Sequence, residues 1–252
     1  MLKEIVIAIQ SYSEAHKFIK QHKLWKWIII PGVIYAVLLC IGMYFFGKSA
    51  TDVIDYLTSA TGLSTWLQKF QNSLIGFLFT FAGIILWIIL MLFYFSLFKY
   101  LILIIGSPVF AYLSEKTEAI LEEKEHSLNW PELMKDAWRG IKLVFRNVLW
   151  QTFFFVMLLL LTLVPVAGWI TPLIALFLEC YYYGFSMIDY SCERHKISPA
   201  QSIEFTGRHR GLAVGNGLVF YLMHVLIIIG WVVAPAYAII AANLSLYKIK
   251  SA

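Results

Sequence analysis

Residues 74–98, LIGFLFTFAGIILWIILMLFYFSLF, contain no charged side chain. A run of about 18 such residues is already long enough to read as a transmembrane helix. Burying a helix that is apolar all round inside a soluble protein would take a larger shell than 252 residues supply. The rest of the chain agrees, with 60% hydrophobic and 14% charged residues and a mean hydropathy of +0.75. A soluble domain carries about 25% charged residues. This composition excludes a soluble enzyme, a disordered tail and a nucleic-acid-binding module. It defines an all-α integral membrane protein, read as a single membrane domain over 1–252.

Working toward the N-terminus, a second apolar segment covers 28–47, after the cluster Trp25-Lys26-Trp27. That length gives about 30 Å of helix, one bilayer core. Pro31 falls in its first turn, where a missing N–H is harmless, and Trp25 and Trp27 read as interface anchors. Residues 1–27 read as an amphipathic interfacial helix. Leu2, Ile5, Val6, Ile9, Tyr12, Ala15, His16 and Ile19 recur near a helical period, and the lysines face anionic headgroups. Five lysines and no short apolar core speak against a cleavable signal peptide. Residues 48–73 form a short polar interlude.

Working toward the C-terminus, the long span is predicted over 74–106. The apolar run continues to Phe110, too long for one bilayer core, so it tilts strongly, projects from the membrane or breaks at Gly106-Ser107-Pro108, where the residue before proline is biased away from helix. Residues 108–147 are hydrophilic and read as two interfacial or cytoplasmic helices, 108–125 and 131–147. Most of their charges, Lys116 and Arg139 among them, read as a solvated or headgroup-facing surface. Asn129-Trp130-Pro131-Glu132 marks the second start. The apolar segment 148–188 is interrupted by Pro165, Gly168 and Pro172, and the segment 212–247 by Gly230 and Pro235 near its midpoint. Each reads as helix, break, helix.

Charge sets the topology. Seventeen of the twenty Lys and Arg lie in 1–27, 111–147, 189–211 and the tail after Tyr247. The positive-inside rule puts all four on the cytoplasmic side. That holds only if 148–188 and 212–247 each return to the face they left. The arms of 212–247, about 16 residues each, reach about 24 Å, short of a 30 Å core, while the arms of 148–188, about 16 and 20 residues, are long enough to leave its depth open. The predicted plan is therefore two long transmembrane helices plus two re-entrant, partly penetrating helical hairpins. Turns at that depth must be buried in protein or line a wet cavity, which points to a homo-oligomer. Broken helices whose ends aim into the membrane are also how transporters build ion sites.

Polar groups inside apolar segments are costly and each is a candidate. Glu179 reads as a pathway carboxylate or as the partner of Arg208, Arg210 or Lys142, and Asp189 follows ten residues later. His224 and Asn243 occupy the two arms of the last hairpin and could bond to each other or line a pore. Thr162, Trp169 and Thr171 flank the other turn. Arg208 and Arg210 form a basic patch suited to an anion, a headgroup or acidic residues of 111–147. Gly207, Gly211, Gly215 and Gly217 allow close backbone approach. Lys23 and Lys26 could hold an oxyanion against the N–H groups of a helix start. Cys40, Cys180 and Cys192 have no metal-site spacing, and neither a catalytic motif nor a nucleotide-binding loop is present in the sequence.

Several stretches together resemble the CysZ family of bacterial sulfate permeases and the wider group with the etoposide-induced membrane protein of the endoplasmic reticulum. They are Lys26-Trp27-Ile28-Ile29-Ile30-Pro31, Gly106-Ser107-Pro108-Val109-Phe110 and Leu113-Ser114-Glu115-Lys116-Thr117-Glu118. The most specific is Tyr183 to Pro199, with Asp189-Tyr190 and Glu193-Arg194-His195-Lys196, followed by Arg208-His209-Arg210 and the Pro-containing last hairpin. The resemblance implies an oligomer of the bacterial inner membrane that takes up sulfate without ATP hydrolysis. No cofactor is implied; the partners would be membrane lipids, sulfate or another small anion, and further copies of the chain, with no nucleic acid. It also implies a sulfate site at the start of the first long helix, where family members carry a Gly-containing turn and an Arg pair. Here Trp25 and Lys26 take the pair's place and His22-Lys23 the turn's. The alternatives are a permease for another solute, or a non-transporting role in scaffolding, lipid handling or membrane homeostasis.

Overall fold

The computed structural model describes residues 1–60, 74–123, 130–162, 167–226 and 229–251. Every element among them is helical: α1 (Leu2–Gln21), α2 (Trp25–Ala60), α3 (Leu74–Leu121), α4 (Trp130–Thr162), a 3-10 turn (Ala167–Ile170), α5 (Thr171–Arg194), α6 (Pro199–Arg208), α7 (Arg210–His224) and α8 (Ile229–Ser251). Four of them are long and apolar enough to cross a bilayer, over Trp25–Ser49, Gly83–Leu101, Trp130–Thr162 and Val232–Ile249. Two such spans were expected.

The helices run longer than predicted for physical reasons. Pro108 does not end α3. A proline inside a helix removes one backbone hydrogen bond and crowds the preceding turn, at a cost of about 3 kcal/mol in all, yet both sides of it are held by packing. Ser107 Oγ donates to the Ala137 carbonyl at 3.0 Å and accepts from Tyr190 Oη at 3.0 Å, while Phe110, Ala111 and Leu113 are buried. The predicted 131–147 and 148–162 segments are one helix, because no Gly or Pro separates Val144 from Thr162. A change from charged to apolar residues alters the surroundings and leaves the backbone alone. Helix α2 continues through the first part of the polar interlude, to Ala60; residues 61–73 lie outside the described set.

Helix α4 ends at Thr162 and the 3-10 turn Ala167–Ile170 precedes α5; the predicted interruption at Pro165 lies in 163–166, outside the described residues. The last break lies after His224 and before Ile229, so Gly230 and Pro235 sit inside α8 instead of at the turn. The chain doubles back closely there. A Cβ on Gly230 would stand 1.7 Å from the Met223 carbonyl oxygen. The two arms are consequently unequal: 15 residues in α7, about 22 Å, and 23 in α8, about 35 Å.

The chain forms two compact units. The first comprises Met1–Val37, Tyr100–Val148 and Glu179–Ala252. In it α1 packs on α7 and α8 through Ala8, Ser11, Tyr12, Ala15, Phe18 and Ile19. This face is rotated from the predicted one, since Leu2, Val6, Ile9 and His16 are exposed. Small residues decide the rotation. A Cβ on Gly215 of α7 would come within 2.8 Å of Ala8 Cβ, and one on Gly211 within 2.3 Å of the Met1 carbonyl oxygen. Gly207, by contrast, faces open space.

The second unit comprises Leu38–Lys99 and Leu149–Leu178. Its core is Ile85, Ile89, Phe155, Leu158 and Ala175. Lys99 is buried and donates to Gln151 Oε1 at 3.1 Å. Thr162 and Thr171 hydroxyls meet at 3.1 Å across the turn, and Trp169 packs edge-on to Phe81. Cys40 is exposed, Cys180 and Cys192 are buried, and the three form no disulfide.

Candidate functional site

The α1–α2 corner presents the cations predicted there. Lys23 adopts left-handed backbone, φ 53°, which lets the chain turn so that the Leu24 N–H reaches the Ile19 carbonyl and the Trp27 N–H the Leu24 carbonyl. Lys23 and Lys26 are both exposed. Trp25 lies edge-on to His16, ring centroids 6.3 Å apart. Trp27 stacks at a tilt on Tyr112, and Lys116 Nζ sits over both rings, 5.2 and 5.7 Å from their centroids. Lys116 is a cation that sequence reading left among the solvated charges. Its place beside this corner was signalled only by its position in the 113–118 stretch.

Inside the same unit two polar groups form. In the first, Tyr221 Oη donates to Glu179 Oε2 at 2.5 Å, and Glu179 is fully buried. Tyr35 Oη and His224 Nε2 are 2.8 Å apart, while His224 Nδ1 bonds the Phe220 carbonyl. The His224 and Tyr221 rings are 6.4 Å apart, so Glu179, Tyr221, His224 and Tyr35 make one polar seam. Asn243 is elsewhere, accepting from Ser114 Oγ at 3.1 Å and donating to the Ile239 carbonyl. The expected His224–Asn243 bond is therefore not formed, because both His224 ring nitrogens are already engaged.

The second group centres on Arg139, which sequence reading also left among the surface charges. Its Nη2 donates to Asp189 Oδ1 at 3.1 Å, its Nη1 donates to the Ile197 carbonyl, and its Nε lies 3.7 Å from Glu193 Oε1. Ser202 Oγ donates to the same Asp189 oxygen. Burial pushes the Asp189 carboxyl up, against the pull of Arg139 and Ser202. Burial likewise pushes Glu193 up to about 8, opposed by Arg139. Asp189, Tyr190, Ser186 and Gly140 line a cleft with no room for water. The group is a closed tie between α4, α5 and α6.

Arg208 and Arg210 join neither group. Arg208 pairs with Glu204 one turn back, and Arg210 Nε donates to the Gly207 carbonyl; both are exposed. The neighbouring His209 and the Gly211 N–H both bind Glu4, so this patch is partly occupied by α1. The expected residues thus divide among an exposed cationic corner, a buried seam and a buried tie, with Arg208 and Arg210 on a separate exposed patch and Asn243 bonded to Ser114.

Helices with apolar exposed faces, such as Ile29, Val33, Ile34, Val37 and Ile41 on α2, and polar side chains gathered in the interior, such as Glu179, Asp189 and Asn243, define a multi-pass helical membrane protein. The family model described as Sulfate transporter CysZ/Etoposide-induced protein 2.4 matches residues 11–235, and the chain belongs to that family. A curated relative from Pseudomonas syringae pv. tomato, the "Sulfate transporter CysZ", is 24% identical over 242 residues, covering 93% of this chain and 89% of its own.

Proposed function

We propose that the protein is a permease for a small inorganic oxyanion, sulfate first, working without ATP hydrolysis in a bacterial inner membrane. Family membership over residues 11–235 supports the class. The observation that carries the site is the exposed pair Lys23 and Lys26 at the start of α2, with Lys116 beside Trp27. Sulfate carries two charges at neutral pH, and the ammonium groups of Lys23 and Lys26 at the start of α2, with Lys116 of α3 beside Trp27, supply field and donors for it without the planar fork of Arg. Glu179, Asp189, Arg208, Arg210, His224 and Asn243 are assigned to the route and its supports, with Trp25 at the mouth. In this reading 148–188 and 212–247 are re-entrant and face their counterparts in other copies of the chain.

Binding of radiolabelled sulfate to the purified protein in detergent tests the site. Saturable binding that falls at least tenfold in the Lys23→Ala, Lys26→Ala double variant supports it. Binding unchanged by the double variant removes the corner from the proposal. A protein that is folded and binds no sulfate leaves another solute or a non-transporting role.

A further inference from the structure

Two helix C-termini come together in the first unit. At the end of α3, Glu123 has left-handed backbone, φ 54°. The Glu122 N–H donates to the Glu118 carbonyl at 2.9 Å and the Glu123 N–H to the Ile120 carbonyl at 3.4 Å. α5 ends alike: Lys196 has φ 56°, its N–H donates to the Glu193 carbonyl, and the Ile197 N–H donates to the Cys192 carbonyl. That is the pairing of a Schellman turn, and it fixes His195 at the capping position. Glu118 lies one turn before Glu122 on the same helical face. His195 Nδ1–H donates to Glu118 Oε1 at 3.0 Å. One ligand atom from each of Glu118, Glu122 and His195 lies within 4.8 Å of the other two.

Two features distinguish this cluster from a patch of surface acid. Glu118 is only 9% exposed, and its second oxygen, Oε2, is buried with no hydrogen-bond partner. A buried acceptor left without a donor costs about 1–3 kcal/mol, and more when charged. The fragment beside it is also electronegative from the backbone. A helix C-terminus carries roughly half a negative charge, and both α3 and α5 bring that end here.

We propose that Glu118, Glu122 and His195 bind a divalent transition cation of the zinc type. Two carboxylate oxygens and the imidazole Nδ1 supply three ligands, and water completes the shell. Mixed imidazole and carboxylate donors suit zinc, manganese or nickel, whereas magnesium and calcium prefer oxygen alone. Ligand atoms at about 2.1 Å from zinc stand about 3–4 Å apart, so the cluster closes by rotation of Glu122, which is exposed. The cation takes the place of the His195–Glu118 contact and gives Oε2 the partner it lacks. Bound there, it ties the end of α3 to the end of α5. This site is independent of whether the protein carries sulfate.

The test is isothermal titration of the full chain in detergent, with any affinity tag removed, using ZnCl2 and MgCl2. One zinc per chain is expected, with no magnesium binding, and zinc raises the melting temperature of the wild type. His195→Gln and Glu118→Gln lower zinc affinity at least tenfold and abolish the thermal shift. Should either variant fail to fold, Glu122→Gln, at an exposed position, decides the matter with a several-fold loss. No saturable zinc binding by the wild type, or binding that none of the folded variants weakens, overturns the proposal.

Discussion

Arg139 holds Asp189 and stands near Glu193 among groups that are mostly out of water. Removing one partner of a buried pair leaves the other charge uncompensated, which costs about 3–5 kcal/mol. Asp189→Ala is therefore expected to lower the melting temperature in detergent by far more than Arg208→Ala, whose exposed pair with Glu204 is worth under about 1 kcal/mol. Equal shifts for the two would contradict the tie. Glu193 adds a pH dependence. Its carboxyl ionises near 8 when folded and in the ordinary carboxylate range when unfolded, so the folded state holds the extra proton. Stability attributable to this group is full below the ordinary range and falls as pH rises toward and through 8. Melting curves at pH 5.5 and 8.5 should differ less in Glu193→Gln than in the wild type; an unchanged difference would refute the assignment. Arg139 was hidden in the sequence because it is one of six cations between 111 and 147. Nothing local separates it from its neighbours, and its partners lie fifty residues away.

Among the elements, α5 and α7 approach closely enough for glycine to be obligatory. A Cβ on Gly184 would lie 1.9 Å from the Ala213 carbonyl oxygen, and one on Gly217 2.0 Å from that of Cys180. Neither contact yields by rotating a side chain. Gly184→Ala and Gly217→Ala should each abolish a monodisperse peak in size-exclusion chromatography, while Gly207→Ala, in open space, should leave it intact. α6 is held at its start by a capping box, Ser198 Oγ accepting from the Gln201 N–H and Gln201 Oε1 accepting from the Ser198 N–H. Ser198→Ala should cost about 1 kcal/mol in a melt. The apolar runs made the existence of the long helices legible, and the Pro165–Gly168–Pro172 cluster made one break legible. The continuity of α3 through Pro108 and of α4 across 147–148 was not legible. Pro108 is tolerated because packing holds both sides of it, and the charged start of α4 carries no breaker before its apolar half. Helix α6 went unread because its signal is a cap and one short amphipathic stretch inside a charged loop.

For the molecule as a whole, the distribution of Lys and Arg and the 15-residue α7 support the re-entrant plan. The 23-residue α8 is long enough to cross, so depth is an experimental question with a sharp answer. Cysteines introduced singly at Val225 and at Trp169, in a background with Cys40 replaced by Ala, are expected to resist a membrane-impermeant maleimide added from outside. One at Gly47 should react. Labelling of Val225→Cys from outside would show that the last hairpin crosses. The cationic corner was legible because Lys23, Trp25 and Lys26 are neighbours in sequence. The contribution of Lys116 comes from the far end of α3 and required the fold. In the function proposed for the protein, this corner admits an oxyanion to a transport route. Flux of radiolabelled sulfate into liposomes holding the purified protein tests it most directly, with empty liposomes and the Lys23→Ala, Lys26→Ala variant as references. Saturable uptake in the wild type, lost in the variant, is the predicted result; uptake no greater than in empty liposomes, by protein shown to be folded and inserted, would contradict it.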